Sequence, residues 1–339
     1  MQNKILILGE AWGEQEEKER TPFVGSSGWL LTSLLQEAGI ERSQCFLTNV
    51  LNLRPPGNKI EALCTDLKET AGLRIKGMGP ISKACYLREE FLPELERLQD
   101  ELIEVNPNVI IALGNTALWA LTNSTGISKA RGVACLSTHT VKGFKLVPTY
   151  HPAYILRNWN ERPVTVVDLI KARREAEYPE IRRPKREIWI EPDISDIKRF
   201  FGVYVSNFVS VDIETVGDQI TCIGFAPTPQ LALVIPIFDF RRKDRCYWEQ
   251  RDEYTVWVMI KSILENRRIR KLFQNGMYDI AFLYRSMGIR VRAAEEDTML
   301  MHHALYPESL KGLGFLGSIY CDESDWKKLR KQATIKQED

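Results

Sequence analysis

A loop near the amino terminus joins a buried-looking strand to an amphipathic helix. Residues 8–31 read LGEAWGEQEEKERTPFVGSSGWLL. The apolar beginning predicts a strand, and the end predicts a helix with Ser26 or Ser27 as its cap and Gly39 as its stop. A strand that leads into a helix is the repeating unit of an α/β sheet, so this stretch indicates the fold class. The loop carries five glutamates and an exposed-looking ring, Phe23.

Strand and helix patterns alternate through the first half of the chain. The apolar runs that predict strands are KILILG, QCFLTNVL, NVIIAL and FKLVPTYH, and amphipathic runs lie between them. This alternation indicates an α/β/α sandwich with a mainly parallel sheet, formed by residues 1–176. Residues 177–187 are charged, contain two prolines and have no apolar period, which predicts a linker. Beyond it, three consecutive strand patterns before further helices and strands predict a second α/β domain with a mixed sheet, residues 188–339.

Composition excludes several classes of protein. The 339 residues carry 46 basic and 45 acidic side chains, so the net charge gives no argument for nucleic-acid binding. The seven cysteines are scattered and never form a C-x-x-C pair, which argues against a disulfide scaffold or a local zinc site. The sequence starts directly with a strand and holds no apolar run of membrane length. A cytoplasmic protein without a membrane partner is expected.

Three predicted loops begin directly after strands, at Gly9, Asn49 and His151. Ligands of parallel sheets bind at the carboxyl ends of strands, so these loops are expected to surround one pocket. A phosphate site is disfavoured because the glutamates would repel phosphate and no G-x-x-x-x-G-K-[ST] pattern is present. A planar, uncharged ring fits better, because Phe23 offers a stacking face and the Asn49 amide presents a donor beside an acceptor.

Charged and titratable side chains complete the expected pocket. A carboxylate such as Glu10 or Glu16 favours positive charge that develops nearby, and His151, with Pro152 fixing its turn, is followed by Arg157. Taken singly, the pocket side chains have ordinary alternatives: the asparagine forms a turn, the histidine is a half-buried polar group and the phenylalanine plugs a loop. Their joint occurrence in this order favours a functional site.

Five motifs of the first domain resemble the uracil-DNA glycosylase superfamily, particularly its family-4 type. The resemblance covers most of residues 4–175, in the order GEAWGEQEE, PFVGSSGWLL, TNVLNLRPPGN, IIALGNTA and HPAYILRN. It implies hydrolysis of the N-glycosidic bond of uracil in DNA, with the target base flipped out of the strand. His151 would donate a hydrogen bond to a uracil oxygen, and Glu10 or Glu16 would position water or balance positive charge on the sugar. The side chains that bind the substrate are then Phe23, Asn49 and Arg157.

The sequence departs from the family-4 pattern at several positions. Trp12 stands where the first motif normally has proline, and Arg20 where it has glycine. Family-4 enzymes carry an iron–sulfur cluster held by four cysteines, but here Leu53 replaces the cysteine before RPP and the upstream pair is absent. Only Cys85, or Cys64, remains near the fourth position. No iron–sulfur cluster is therefore expected.

Paired acidic residues mark the second domain. In SVDIET, Asp212 and Glu214 lie two residues apart on a predicted strand and so point to the same face. In FQNGMYDIAF, Asn275 and Asp279 are four residues apart, one turn of a predicted helix. With the later DTMLMHHALYP, these motifs resemble the proofreading 3′–5′ exonuclease domain of family-A DNA polymerases, especially phage-type ones.

That second resemblance covers residues 188–330 and implies a ribonuclease-H-like domain that cleaves phosphodiesters with Mg²⁺ or Mn²⁺. Asp212 would bridge the ions, while Glu214 and Asp279 would complete their shells. Asn275 would contact the substrate. The family's last motif, a tyrosine three residues before an aspartate, is not reached, so the domain is expected to be incomplete and its exonuclease activity weak or absent.

The two resemblances together predict a DNA-processing hydrolase. It is expected to be the amino-terminal part of a phage DNA polymerase that works in the cytoplasm of a bacterial host. Expected partners are DNA, single-stranded or as a template–primer, and a polymerase domain in the same longer chain. The alternative is a catalytically silent module that senses uracil or clamps DNA, and Trp12 is the residue that favours it.

Overall fold

The computed structural model describes residues 4–65, 74–82 and 85–323, which divide into two compact units. The first unit runs to Arg182 and also includes the described residues from Gly314 onward. The second unit is Arg183–Leu313. The division after Arg182 lies within the charged stretch, where residues 178–186 form neither helix nor strand. In the part of the chain that is described, no helix is long and apolar enough to cross a lipid bilayer.

A mainly parallel sheet forms the centre of the first unit. Among the described residues it has five strands in the order β2-β1-β5-β7-β6, parallel except for β6 against β7, and β3 pairs separately with β4. The strands are β1 (Ile5–Ala11), β2 (Cys45–Leu51), β3 (Cys64–Thr65), β4 (Tyr86–Leu87), β5 (Val109–Leu113), β6 (Cys135–Leu136) and β7 (Lys145–Thr149). The predicted fold class of this unit is confirmed.

Helices cover both faces of this sheet. Leu6 and Leu8 of β1 pack into one apolar core and Ile7 packs into the other, as the two-residue period of a strand requires. A parallel sheet needs both faces covered, which is why these strands read as continuous apolar runs. The helices are α1 (Glu14–Glu19), α2 (Ser26–Glu37), α3 (Leu92–Val105), α4 (Gly114–Thr122), α5 (Ile127–Ala130), α6 (Pro152–Ile155) and α7 (Arg162–Glu175).

The ends of α2 confirm one prediction and correct another. The helix stops before Gly39, whose φ of +70° is the left-handed conformation that glycine adopts most easily. Its amino-terminal cap is Gly25, so the prediction of Ser26 or Ser27 as cap was wrong. The helix begins one residue earlier than predicted because the chain already turns at Gly25, where a buried carboxylate binds the backbone.

The second unit has a mixed sheet, as predicted. Its order in the described residues is β13-β12-β9-β10-β11-β8. Strand β10 is antiparallel to β9 and to β11, and the other neighbouring pairs are parallel. The strands are β8 (Glu187–Ile190), β9 (Phe208–Val216), β10 (Gln219–Thr228), β11 (Leu231–Pro236), β12 (Arg270–Phe273) and β13 (Glu296–Asp297). Its helices are α8 (Ile194–Val203), α9 (Gln250–Leu264), α10 (Met277–Met287) and α11 (Thr298–Leu305). Helix α12 (Leu313–Leu316) follows where the chain returns to the first unit.

Candidate functional site

A cavity of about 1060 Å³ lies in the first unit, beside the carboxyl ends of β1 and β2 and the residues after β7. Strands β1 and β2 are neighbours in register, with Gly9 opposite Asn49. The parallel sheet therefore brings together segments that are far apart in the sequence. The predicted pocket residues that line this cavity are Glu10, Glu16, Phe23, Asn49, His151 and Arg157.

Gly9 and Asn49 lie inside strands, so the prediction that loops begin at these two residues was wrong. β1 continues to Ala11 and β2 to Leu51. Position 9 has no room for a side chain, because a Cβ there would lie 2.2 Å from Asn49 Oδ1 and 2.5 Å from Phe23 Cζ. The bare backbone of β1 thus allows the amide and the ring to approach one another across it.

Phe23 is buried, only 6% exposed, which corrects the expectation of an exposed ring. Its φ of +59° is left-handed, and its carbonyl accepts a hydrogen bond from Arg42 Nη2 at 2.9 Å. Gly28 in the first turn of α2 packs directly on it, since a Cβ on Gly28 would lie 1.8 Å from the Phe23 carbonyl oxygen. The ring centroid lies 6.3 Å from that of His151. Phe23 is therefore a fixed wall of the cavity.

Asn49 presents its side-chain amide to the cavity. The residue is 2% exposed, and its backbone carbonyl accepts a hydrogen bond from Arg97 Nη2 at 2.8 Å. Within residues 4–65, 74–82 and 85–323, its amide has no hydrogen-bond partner. Arg97 is in turn held by Glu94 and Glu101 at 3.0 and 2.6 Å. The backbone of Asn49 is thus held in place, and its side-chain amide has a donor and an acceptor available to a ligand.

His151 is held in a neutral form with a defined tautomer. It caps the amino terminus of α6, where its Nδ1 accepts a hydrogen bond from the Ala153 N–H at 3.2 Å. Burial lowers the pKa of His151 to about 4, and the positive charge of Arg157 acts in the same direction against the opposing charge of Glu16. Because Nδ1 is the acceptor, the proton of the neutral ring is on Nε2, which can donate to a ligand.

The two predicted carboxylates of the pocket differ in their contacts. Glu10 accepts a hydrogen bond from Thr116 Oγ1 at 2.5 Å, and burial raises the pKa of Glu10 against the effect of that bond. Glu16 is buried and accepts a hydrogen bond from the Gly25 N–H at 2.9 Å. It therefore fixes the loop to the start of α2. Arg157 is exposed, and among the described residues its guanidinium forms no hydrogen bond or ion pair, although its charge lowers the pKa of Glu10.

Trp12 also lines the cavity, at the position where the sequence departs from the family-4 motif. Its backbone N–H donates to the carbonyl of Leu53 at 3.1 Å. Its indole Nε1 is buried, and no acceptor for it occurs in the described parts of the chain. A buried donor without a partner costs about 1–3 kcal/mol. Trp12 thus places a buried hydrogen-bond donor in the pocket wall.

The ionisation of His151 gives a first prediction. Its imidazole should stay neutral, with the proton on Nε2, from pH 8 down to about pH 5, since its pKa lies near 4. The unfolded chain binds this proton near pH 6.5, whereas the folded protein binds it near pH 4. The contribution of His151 to the free energy of unfolding should therefore be fully present above pH 6.5 and be lost as the pH falls towards 4. Nitrogen-15 NMR of the histidine side chains measures both tautomer and pKa, with His151→Ala for assignment. A His151 midpoint near 6.5 would contradict the burial described above.

The second unit places three predicted carboxylates near one another. Asp212 and Glu214 lie on the exposed face of β9, alternating with the buried Val211 and Ile213. Asp279, in the first turn of α10, is 5% exposed and accepts a hydrogen bond from the Ile213 N–H at 3.1 Å. Although the Asp212 residue has exposed surface, partial burial of its carboxyl group, followed by the charges of Asp279 and Glu214, raises its pKa to about 6.

Asn275 does not share a helical turn with Asp279, so that prediction was wrong. The helix begins at Met277, and Asn275 precedes it with a left-handed φ of +61°. Its backbone N–H donates to Asp297 Oδ1 at 3.1 Å, and Asp297 also accepts from Gly276 at 2.7 Å. Asp297 thus has a structural role, holding the residues before α10.

The carboxylates of β9 and α10 are oxygen ligands of the kind that bind a divalent cation. Burial and then the negative charges of Asp279 and Glu214 raise the pKa of Asp212, and a bound Mg²⁺ or Mn²⁺ would offset that repulsion. Among the described residues, however, no group of three or more His, Cys, Asp or Glu side chains is placed to hold a metal ion.

Comparison with known protein families assigns a class to each unit. Both units match families of DNA-processing hydrolases: residues 1–173 match the uracil DNA glycosylase superfamily, and residues 196–338 match a 3′–5′ exonuclease family of DNA polymerases. Both resemblances seen in the sequence motifs are confirmed. The chain belongs to the uracil-DNA glycosylase superfamily.

Individual relatives support each half. A type-4 uracil-DNA glycosylase of Thermotoga maritima is 36% identical over 177 residues, which are 51% of this chain and 78% of that protein. A DNA polymerase of Bacillus phage SP01 is 22% identical over 330 residues, 88% of this chain but only 32% of the polymerase. A structure of Brucella melitensis NrnC with bound Mg²⁺ is 18% identical over 42% of this chain and 63% of that one, at a TM-score of 0.30. The last similarity is too low to bear on the fold or the sites.

Proposed function

We propose that the first unit excises uracil from DNA by hydrolysing its N-glycosidic bond. One observation carries this proposal: Phe23, Asn49 and His151, from three separate segments, line the same cavity. A glycosylase must take its target base out of the stack and hold it in such a pocket. The phenylalanine wall would stack on the uracil ring. The free amide of Asn49 would read the imide edge, donating to one uracil oxygen and accepting from the ring N–H.

The chemistry follows from the charges that develop as the bond breaks. The bonding electrons leave with uracil, so the base becomes an anion and the sugar gains positive charge. Neutral His151 would donate its Nε2–H to a uracil oxygen and stabilise the anion, an effect worth about 3 kcal/mol or more in a dry site. The Glu10 carboxylate would offset the charge on the sugar and orient the water that adds to C1′. Glu16, bound to Gly25, would position the loop.

A labelled single-stranded oligonucleotide with one uracil tests this proposal. Incubation with the protein should leave an abasic site, which alkali converts into a strand break, while the same oligonucleotide with thymine stays intact. No metal takes part in this step, so EDTA should not reduce excision. Excision that disappears with EDTA would count against the assignment of these residues.

A second candidate function is a silent uracil sensor or DNA clamp. The buried indole N–H of Trp12, without a partner in the described residues, gives the pocket a wall that differs from the family-4 motif. Such a wall could hold a base without allowing water to reach the sugar. Tight binding of the uracil oligonucleotide without any alkali-labile product would support this alternative.

We further propose that the second unit is the 3′–5′ exonuclease domain of a phage-type DNA polymerase and that this chain is the amino-terminal part of one. The alignment through both units with the polymerase of phage SP01 supports this. The implied substrate is a DNA strand end, and a polymerase domain would follow in the same longer chain in a bacterial host. Asp212, Glu214 and Asp279 would hold the Mg²⁺ or Mn²⁺, which supplies an activated water and neutralises charge on the phosphate.

For the first unit, the absence of an iron–sulfur cluster remains a prediction.

Any exonuclease activity should depend on Asp212. Its replacement by alanine removes one of three coupled carboxylates and is expected to abolish Mg²⁺- or Mn²⁺-dependent release of nucleotides from a single-stranded 3′ end. Asp218→Ala, an exposed aspartate after the same strand, is the matched control and should keep the wild-type rate. Full activity of the Asp212 variant would remove this site from the proposal.

A further inference from the structure

Exposed apolar side chains lie on the elements that border the cavity. Trp29, in the first turns of α2, is 78% exposed and lines the cavity, and so does Tyr154, which is 37% exposed. Leu156 and Trp159, which follow α6, are 47% and 58% exposed. Helix α6 packs against α2, and the turn that contains Trp159 packs against α6. The apolar side chains therefore lie on one continuous set of elements beside the pocket.

The positions of the two rings at the rim indicate a use in binding. The ring of Tyr154 packs against that of Tyr150 at a tilt of 31°, with ring centroids 4.9 Å apart. Trp29 leaves most of its indole exposed to solvent, where a ligand can reach its ring face. Arg157, whose exposed guanidinium forms no hydrogen bond or ion pair among the described residues, lines the same cavity. A flat apolar face beside an exposed cation suits a nucleotide, with its base and its phosphate.

We propose that Trp29 and Tyr154 form a stacking platform for unpaired bases beside the flipped nucleotide, with Arg157 contacting the phosphate, so that the substrate is single-stranded DNA. In a duplex, the neighbouring bases are stacked on one another and have no free face for an indole. In a single strand, every base offers one, and aromatic stacking of this kind is independent of sequence. This inference rests on the proposed function of the pocket.

Equilibrium binding separates the platform from catalysis. Fluorescence anisotropy with a labelled oligothymidylate needs no excision, so it tests Trp29 even if the pocket proves silent. Trp29→Ala should weaken binding to the single strand about 5-fold or more, and Trp29→Phe, which keeps a ring, should recover most of the loss. The side chain is largely in solvent, so its truncation leaves the apolar cores intact. Ile103→Ala, a 56% exposed residue of the same unit outside the cavity, is the matched control.

Comparing the affinities of Trp29→Ala for single-stranded and for duplex DNA tests whether the platform binds unpaired bases. A loss in Trp29→Ala that is confined to the single strand supports the platform. An unchanged affinity for the single strand, an equal loss for a fully paired duplex or an equal loss in Ile103→Ala would overturn it. Unchanged affinity would instead leave the rim as a surface for a protein partner. Uracil excision by the wild type, measured separately, reports on the proposed function alone.

Discussion

Replacing His151 by alanine is expected to lower the rate of uracil excision about 10²–10³-fold, as loss of one preorganised donor to a developing anion does. The effect should appear mainly in kcat, because the hydrogen bond strengthens as negative charge reaches the uracil oxygen. His151→Gln, which keeps an N–H donor, should retain part of the rate. Single-turnover cleavage of a uracil oligonucleotide measures these differences.

His139 provides the control for this substitution. It belongs to the same unit but does not line the cavity, so His139→Ala should excise uracil at the wild-type rate. If His151→Ala and wild type proved equally fast, the neutral imidazole would have no part in catalysis, whatever its tautomer.

The second large effect is expected from Gly9→Ala. A methyl group at this position would overlap both Asn49 Oδ1 and Phe23 Cζ, so the amide and the ring must move apart. Overpacking of this kind costs about 1–3 kcal/mol, and a cost of that size on the uracil-bound geometry should weaken binding by about 5–150-fold. Excision on the oligonucleotide and the free energy of unfolding are the two measurements. The loss of function should exceed what the loss of folded protein explains.

Gly202 is the matched glycine for this test. It lies within α8 of the second unit, and a Cβ there meets nothing within 4 Å. Gly202→Ala should therefore be neutral or slightly stabilising, by up to about 1 kcal/mol. Wild-type excision by Gly9→Ala would show that Asn49 and Phe23 do not need the geometry described here.

Much of the first site was predictable because its residues follow strands that the apolar pattern identifies. Parallel strands bring their carboxyl ends together, so Glu10, Asn49 and His151 were expected to meet, and they do. The supporting residues were missed because their role depends on contacts distant in sequence. Gly28 is needed only because the Phe23 carbonyl lies against it. A glycine in the first turn of a predicted helix was the available indication.

Buried charges were the least predictable part of the fold. Asp168 of α7 is 0% exposed and pairs with Arg131, which is 1% exposed and donates to Ser318 at 3.2 Å. In the sequence, such side chains resemble the solvated face of an amphipathic helix. The return of the chain to the first unit at Gly314 covers Arg131, and no local pattern indicates this contact. In the second unit, the left-handed Asn275 interrupted a pattern that otherwise resembled one helix.

Release of free uracil is the most direct test of the central claim, that the first unit is an active glycosylase. Chromatography of the products after incubation of a uracil-containing single strand with the wild-type protein and EDTA detects the base itself. One free uracil should appear for each abasic site, with none released by His151→Ala on the same time scale. Saturating, uracil-dependent binding with no free base at any time would contradict the claim and identify the unit as a sensor.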